Sequence, residues 1–212
     1  MRNVIIFEAH SDDSAVGVGG TIIKLVKEGY EIIKVIFAAG QMSHPHYKEE
    51  IIIKRRINET EGVGRQFGIK QHIFFGLKDG RIKEEIIKKD VYEKINRIIK
   101  KYHPVKIFTT SASDPHPDHR AVNKAVVKVV ENMNYKGEVY SYEVWNIINV
   151  NETKPIVYND ISQYFKAKIA MMKSFKSQWP SMYPLLIPVY LRAKYYGIKN
   201  KFKYAEKLYR LR

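Results

Sequence analysis

Residues 113–120 read Ser113-Asp114-Pro115-His116-Pro117-Asp118-His119-Arg120, two imidazoles and two carboxylates interleaved with two prolines. Both prolines fix φ and offer no N–H. The stretch follows a β-like run, Val105–Thr110. It precedes a helical pattern opened by Pro117 or Asp118, with Ala121, Ala125, Val126, Val129 and Val130 on one side. A corner of the same build, His10-Ser11-Asp12-Asp13, lies earlier in the chain. It follows the continuous apolar strand Asn3–Ala9 and precedes a helix from Ser14 to Glu28, with Gly29 as its stop signal.

Working outward, Glu31–Ala38, Gln71–Phe75 and Glu138–Glu143 read as further strands. Glu49–Gly68 and Glu84–Lys101 read as helices, the latter with Ile86, Ile87, Val91, Ile95, Ile98 and Ile99 as its buried stripe. Small residues at Gly17, Gly19 and Gly20 let the first helix lie close to the sheet. Strands alternating with helices make a mostly parallel α/β sheet with helices on both faces. In the doubly wound order 3-2-1-4-5, strands 1 and 4 are neighbours and ligands bind at their carboxyl ends. Both corners leave those ends, so the topology alone brings them together.

Beyond the core of 1–143, residues 144–212 read as an extension packed on it. The pattern gives a strand near Pro155–Tyr158 and a helix over Ile161–Phe175 ended by Gln178-Trp179-Pro180. A helical, aromatic and basic C-terminal tail follows. With no repeat or linker, 1–212 is read as one domain.

The chain has no cysteine, which excludes disulfides and thiolate chemistry, so a metal must be held by His, Asp or Glu. No signal peptide or membrane span is visible, and a cytoplasmic protein is expected. The net charge of +15 is spread over every helix rather than gathered in a block, and no nucleic-acid partner is expected. The basic aromatic tail has two readings. It packs on the sheet or on a second subunit in a homo-oligomer, or it makes peripheral contact with an anionic membrane.

A catalytic zinc takes three protein ligands and leaves a place for water. His10, Asp13 and His119 form such a set, one metal per chain, with another divalent ion an alternative. Asp12 is then placed to accept the water's proton. His116 is placed to stabilise an oxyanion or protonate a leaving group, and Asp118 to orient His116. His44 and His46 are ordinary loop residues in composition. Their loop opens on the same face, however, and His44 is taken as a candidate substrate contact. His72 and His103 have no acidic neighbours and read as structural. Arg56 and Glu59 share a helix face, where an ion pair is the plain expectation.

These residues carry a resemblance. His10-Ser11-Asp12-Asp13 resembles the A-H-P-D-D-E signature of the GlcNAc-phosphatidylinositol deacetylase-like (PIG-L, LmbE-like) zinc-dependent family. His116-Pro117-Asp118-His119 matches its second signature. Weaker echoes follow in order: Gly19-Gly20-Thr21, Arg56 with Glu59, Asp79-Gly80, Lys168, Ser177-Gln178 and Ala205-Glu206. The resemblance implies a Rossmann-like N-deacetylase acting on an N-acetylglucosamine-containing sugar, glycolipid or chitooligosaccharide, with Arg56 on the substrate. Two departures stand out: Ser11 replaces the usual Pro, and Ser14 the usual Glu. A two-metal phosphoesterase or nuclease is the alternative reaction, and a zinc-bound sugar-binding module the non-catalytic one.

Overall fold

The computed structural model describes residues 2–40, 48–146 and 154–212. Its sheet has seven strands: β1 (Arg2–Glu8), β2 (Tyr30–Ala38), β3 (Gln71–Leu77), β4 (Lys106–Thr110), β5 (Glu138–Tyr142), β6 (Ile156–Asp160) and β7 (Ala205–Arg210). They run in the order β3-β2-β1-β4-β5-β7-β6. The first five are parallel and keep the expected 3-2-1-4-5 order; β7 pairs antiparallel with both β5 and β6. The helices are α1 (Asp13–Lys27), α2 (Glu49–Phe67), α3 (Ile82–Lys88), α4 (Val91–Tyr102), α5 (Pro117–Asn132), α6 (Phe165–Ser174) and α7 (Trp179–Lys199).

β1 is apolar from Val4 to Phe7 because both its faces are covered. Val4 and Ile6 enter one core with α1, α6 and α7, while Ile5 and Phe7 enter another with α3, α4 and α5. Phe7 pairs with Thr109, so the segments after β1 and β4 leave the sheet side by side. Gly17 lets α1 approach the sheet as its spacing suggested: a Cβ there would stand 2.9 Å from the Glu143 carbonyl and strike the Tyr142 ring.

Three expectations fail. The single helix over Glu84–Lys101 is two helices, broken where Asp90 takes a left-handed φ of 50°. The break rotates the stripe, so Ile86, Val91, Ile95 and Ile99 are buried while Ile87 faces solvent. The C-terminal tail is not wholly helical, because it ends in β7 inside the sheet. Trp179-Pro180 does not terminate a helix either. A 3-10 turn at Lys176–Gln178 intervenes, and Pro180 lies in the first turn of α7, where a missing N–H costs nothing.

Candidate active site

The first corner is fastened from beneath. Lys34 on β2 donates to the Ser11 carbonyl at 2.7 Å and pairs with the Glu8 carboxylate at 2.7 Å, both charges buried. Glu8 in turn accepts the Ser14 N–H at 3.0 Å. Burial holds the Glu8 carboxyl up at about 7, against the opposing pull of Lys34. The backbone then turns so that Asp12 stands at the N-cap of α1 without using its side chain as the cap.

The second corner is built around His116, the N-cap of α5, whose Nδ1 accepts the Asp118 N–H at 3.2 Å. Burial lowers the His116 pKa, and the neighbouring imidazoles of His119 and His10 lower it further. A neutral imidazole that accepts at Nδ1 carries its proton on Nε2.

The corners meet. His119 Nε2 lies 3.1 Å from Asp13 Oδ1, and the Asp13 carboxylate also accepts the His10 N–H at 2.8 Å. One ligand atom from each of His10, Asp13 and His119 falls within 4.8 Å of the others. Burial resists ionisation of Asp13, but His119 and His10 hold its carboxyl well below the usual range. Burial likewise works against a charged His119, yet Asp13 and Asp114 push it up to about 10. Both buried ring nitrogens of His119 lack a well-formed hydrogen bond. A buried imidazole nitrogen that faces a carboxylate and a second imidazole without a well-aligned hydrogen bond fits a divalent metal. The all-N/O donor set suits zinc.

Around this cluster is a cavity of about 390 Å³, within the usual range for small-molecule sites. Asp12, Arg56, His116 and Asp118 line it, with Asp79, Trp145, Gln178, Ser181 and Leu185. Burial raises the Asp12 pKa, and the neighbouring Asp13 charge adds to that. Arg56 is buried despite its charge and donates to the Ala39 carbonyl at 3.4 Å. Its guanidinium fills the space a side chain would need at Gly40, whose φ is 76°. Glu59, whose charge also bears on Arg56, accepts the Ser177 N–H at 2.9 Å and its hydroxyl.

Asp118 does not serve as expected. Its carboxylate accepts the Gly80 N–H at 2.7 Å and the Ile82 N–H at 3.4 Å, leaving its backbone N–H to hold His116. The carboxylate that orients a histidine is Asp114, missed in the sequence: its Oδ1 lies 2.9 Å from His119 Nδ1. Asp114 also accepts the N–H groups of His116, Val144 and Trp145. An Asp before Pro reads as a turn former, which hides this second use. Asp79 was missed as a site residue too; it accepts the Gly40 N–H at 3.0 Å and lies 3.6 Å from His10 Nε2. His44 and His46 fall outside the described residues.

A family model, GlcNAc-PI de-N-acetylase (PIG-L), matches residues 5–130. The probable N-acetyl-alpha-D-glucosaminyl L-malate deacetylase 2 of Bacillus cereus is 30% identical over 85% of this chain and 86% of its own. Diacetylchitobiose deacetylase of Thermococcus kodakarensis is 26% identical over 97% of this chain and 82% of its own. Among solved structures, 4-carboxy-2-hydroxymuconate hydratase from Pseudomonas putida superposes with a TM-score of 0.85 at 19% identity, covering 100% of this chain and 97% of that one. That likeness speaks for the fold alone, and it comes from an enzyme of another reaction class.

Proposed function

Because the chain belongs to the PIG-L family of de-N-acetylases, we propose that it is a zinc-dependent hydrolase that removes acetyl from an N-acetylglucosamine-containing substrate. The observation that carries this reading is the His10–Asp13–His119 cluster, opening on a cavity that also holds Asp12, His116 and Arg56. An ion held there supplies a Lewis acid that acidifies water and polarises the acetyl carbonyl.

The protein's own groups do the rest. Asp12, on the cavity wall with its carboxylate free of capping duty, takes the proton of the attacking water. Water oxygen adds to the acetyl carbon and the C–N bond breaks, giving acetate and the free amine. His116 offers its Nε2 proton to the charge developing on the carbonyl oxygen or to the departing nitrogen. Arg56, held rigid in the wall, grips the polar part of the sugar. Asp118 works at one remove, tying the Gly80 loop to the start of α5.

β7 lies inside the sheet between β5 and β6, which supports reading 1–212 as one domain. No described helix is long and apolar enough to cross a membrane; the expected place of action is the cytoplasm and the expected substrate a small molecule.

The test is acetate release by zinc-loaded protein from N-acetylglucosamine, diacetylchitobiose and a GlcNAc-inositol compound. Release that a chelator abolishes and zinc restores is expected. Protein holding one metal per chain that frees no acetate from any of them would overturn the reading.

A further inference from the structure

α7 is apolar on both sides. Its inner face sends Met182, Leu185, Val189 and Ala193 into the core. Its outer face carries Tyr183, Ile187, Tyr190, Leu191, Tyr195 and Ile198, all exposed. Their spacing, i, i+4, i+7, i+8, i+12 and i+15, lays them along one stripe of the helix. Ile187 is 70% exposed and Leu191 58%. Isolated surface apolar residues are ordinary, but a continuous stripe of this length is a contact surface.

The charge around the stripe is of one sign. Between Asp160 and Glu206 the sequence has no acidic residue, against nine lysines and arginines. Lys199, Lys201 and Lys203 stand exposed where the stripe ends, with Phe202 between them. Such a surface suits a partner that is apolar in depth and anionic on top.

We propose that the outer face of α7 docks on an anionic membrane surface, its apolar stripe entering the headgroup boundary and its basic end meeting the lipid phosphates. The helix lies in the interface rather than crossing it, consistent with the failure of any described helix to qualify as a span. A second copy of the chain fits less well. A two-fold contact sets the same patch against itself, and this segment has no acidic residue to offset the basic ones of the other copy. Ser181 and Leu185, in the first two turns of α7, line the cavity, so docking would set the site at the bilayer surface.

The test is co-sedimentation of the full-length, metal-loaded protein with vesicles of pure phosphatidylcholine and with vesicles rich in phosphatidylglycerol. Binding to the anionic vesicles is expected to exceed that to neutral ones by about tenfold or more, and to fall as salt rises. Ile187→Glu with Leu191→Glu should lower it at least about tenfold; both sites are exposed, so the fold should be kept. Ile87→Glu, which changes an exposed apolar residue on α3, should leave it unchanged. Three results would overturn the proposal: no binding to anionic vesicles; binding indifferent to the α7 pair; or light scattering that shows an oligomer which the α7 pair dissociates. The last would assign the stripe to a second copy.

Discussion

α1 touches two buried clusters of charge, and they are finished differently. Partway along it, Val18 leaves the helical conformation, with φ −136°. The Gly20 and Thr21 N–H groups donate to Glu206 at 3.0 and 2.7 Å. The same carboxylate takes the Thr21 hydroxyl at 2.6 Å and the Lys168 ammonium at 2.6 Å. At the start of α1, by contrast, His10, Asp13 and His119 crowd together and both His119 ring nitrogens lack a proper hydrogen bond. The Glu206 clamp is satisfied within the protein. The corner instead turns one ligand atom from each of three residues toward a common point, placed for something brought to it. A buried charged group with every partner in place is a fastening; one with ligand atoms left over is a site.

Mutations that separate activity from stability test that distinction. His119→Ala should abolish metal retention and acetate release together, measured by metal analysis and turnover on the same sample. Asp12→Asn should keep the metal and lose about 10²–10⁴-fold in kcat. A variant Asp12→Asn of undiminished rate would remove Asp12 as the base. Glu206→Gln should do the reverse. It leaves Lys168 buried without its counter-ion, at a cost of about 3–5 kcal/mol in a denaturant melt. The surviving folded protein should turn over at close to the parent rate. A large loss of kcat with unchanged stability would mean that the clamp belongs to the site.

The comparison also explains what could be read in advance. The corners were legible because they join a strand signal to an uncommon density of ligand residues, and the switch point of a doubly wound sheet needs only strand order. The weaker echoes carried no such meaning. Gly20, Thr21, Lys168 and Glu206 lie far apart in sequence, and only the packed fold shows them as one clamp. Glu59 and Ser177 are likewise one fastening, between α2 and the turn before α7. The αL break at Asp90 was hidden because the apolar period continues across it. The inserted β7 was hidden because a strand among basic aromatic residues gives no period to follow.

Ser14 sharpens the picture at the corner. The resemblance expects a Glu there, and Ser replaces it. Yet a carboxylate is still present, sent from β1 by Glu8, bound to the Ser14 N–H and paired with Lys34. Glu8→Ala should cost about 3 kcal/mol by stranding Lys34. Adding Ser14→Glu should return a good part of it, read as a rise in denaturation midpoint over the single variant. If the double variant is no more stable than the single one, a carboxylate at position 14 does not do the work of Glu8.

Asp114 sits between fastening and site. Its four contacts hold the loop, and one of them fixes the His119 ring. Asp114→Asn should weaken metal affinity by about 10–100-fold, the usual cost of losing a carboxylate behind a ligating histidine. At saturating metal, kcat should fall much less. Equal losses in both would place Asp114 in the chemistry rather than behind it.

His72 shows the same physics in a ring that stacks on Phe74 and forms no ion pair among the described residues. Its ring packs where a side chain at Gly64 would stand, and its buried Nε2 has no hydrogen bond among the described residues. Burial, then the charges of Lys34 and Arg65, depress its pKa to about 4. In the unfolded chain the same ring takes up a proton near pH 6.5. Between about pH 6.5 and 4 the unfolded state therefore binds more protons than the folded one, and stability falls as pH falls. His72→Leu has nothing to protonate and should flatten that part of the stability–pH curve, leaving acetate release untouched. A slope unchanged by His72→Leu would assign the acid sensitivity to other groups. Its loss would mark His72 as a buried base that neither fastens nor binds, whose effect shows only in acid.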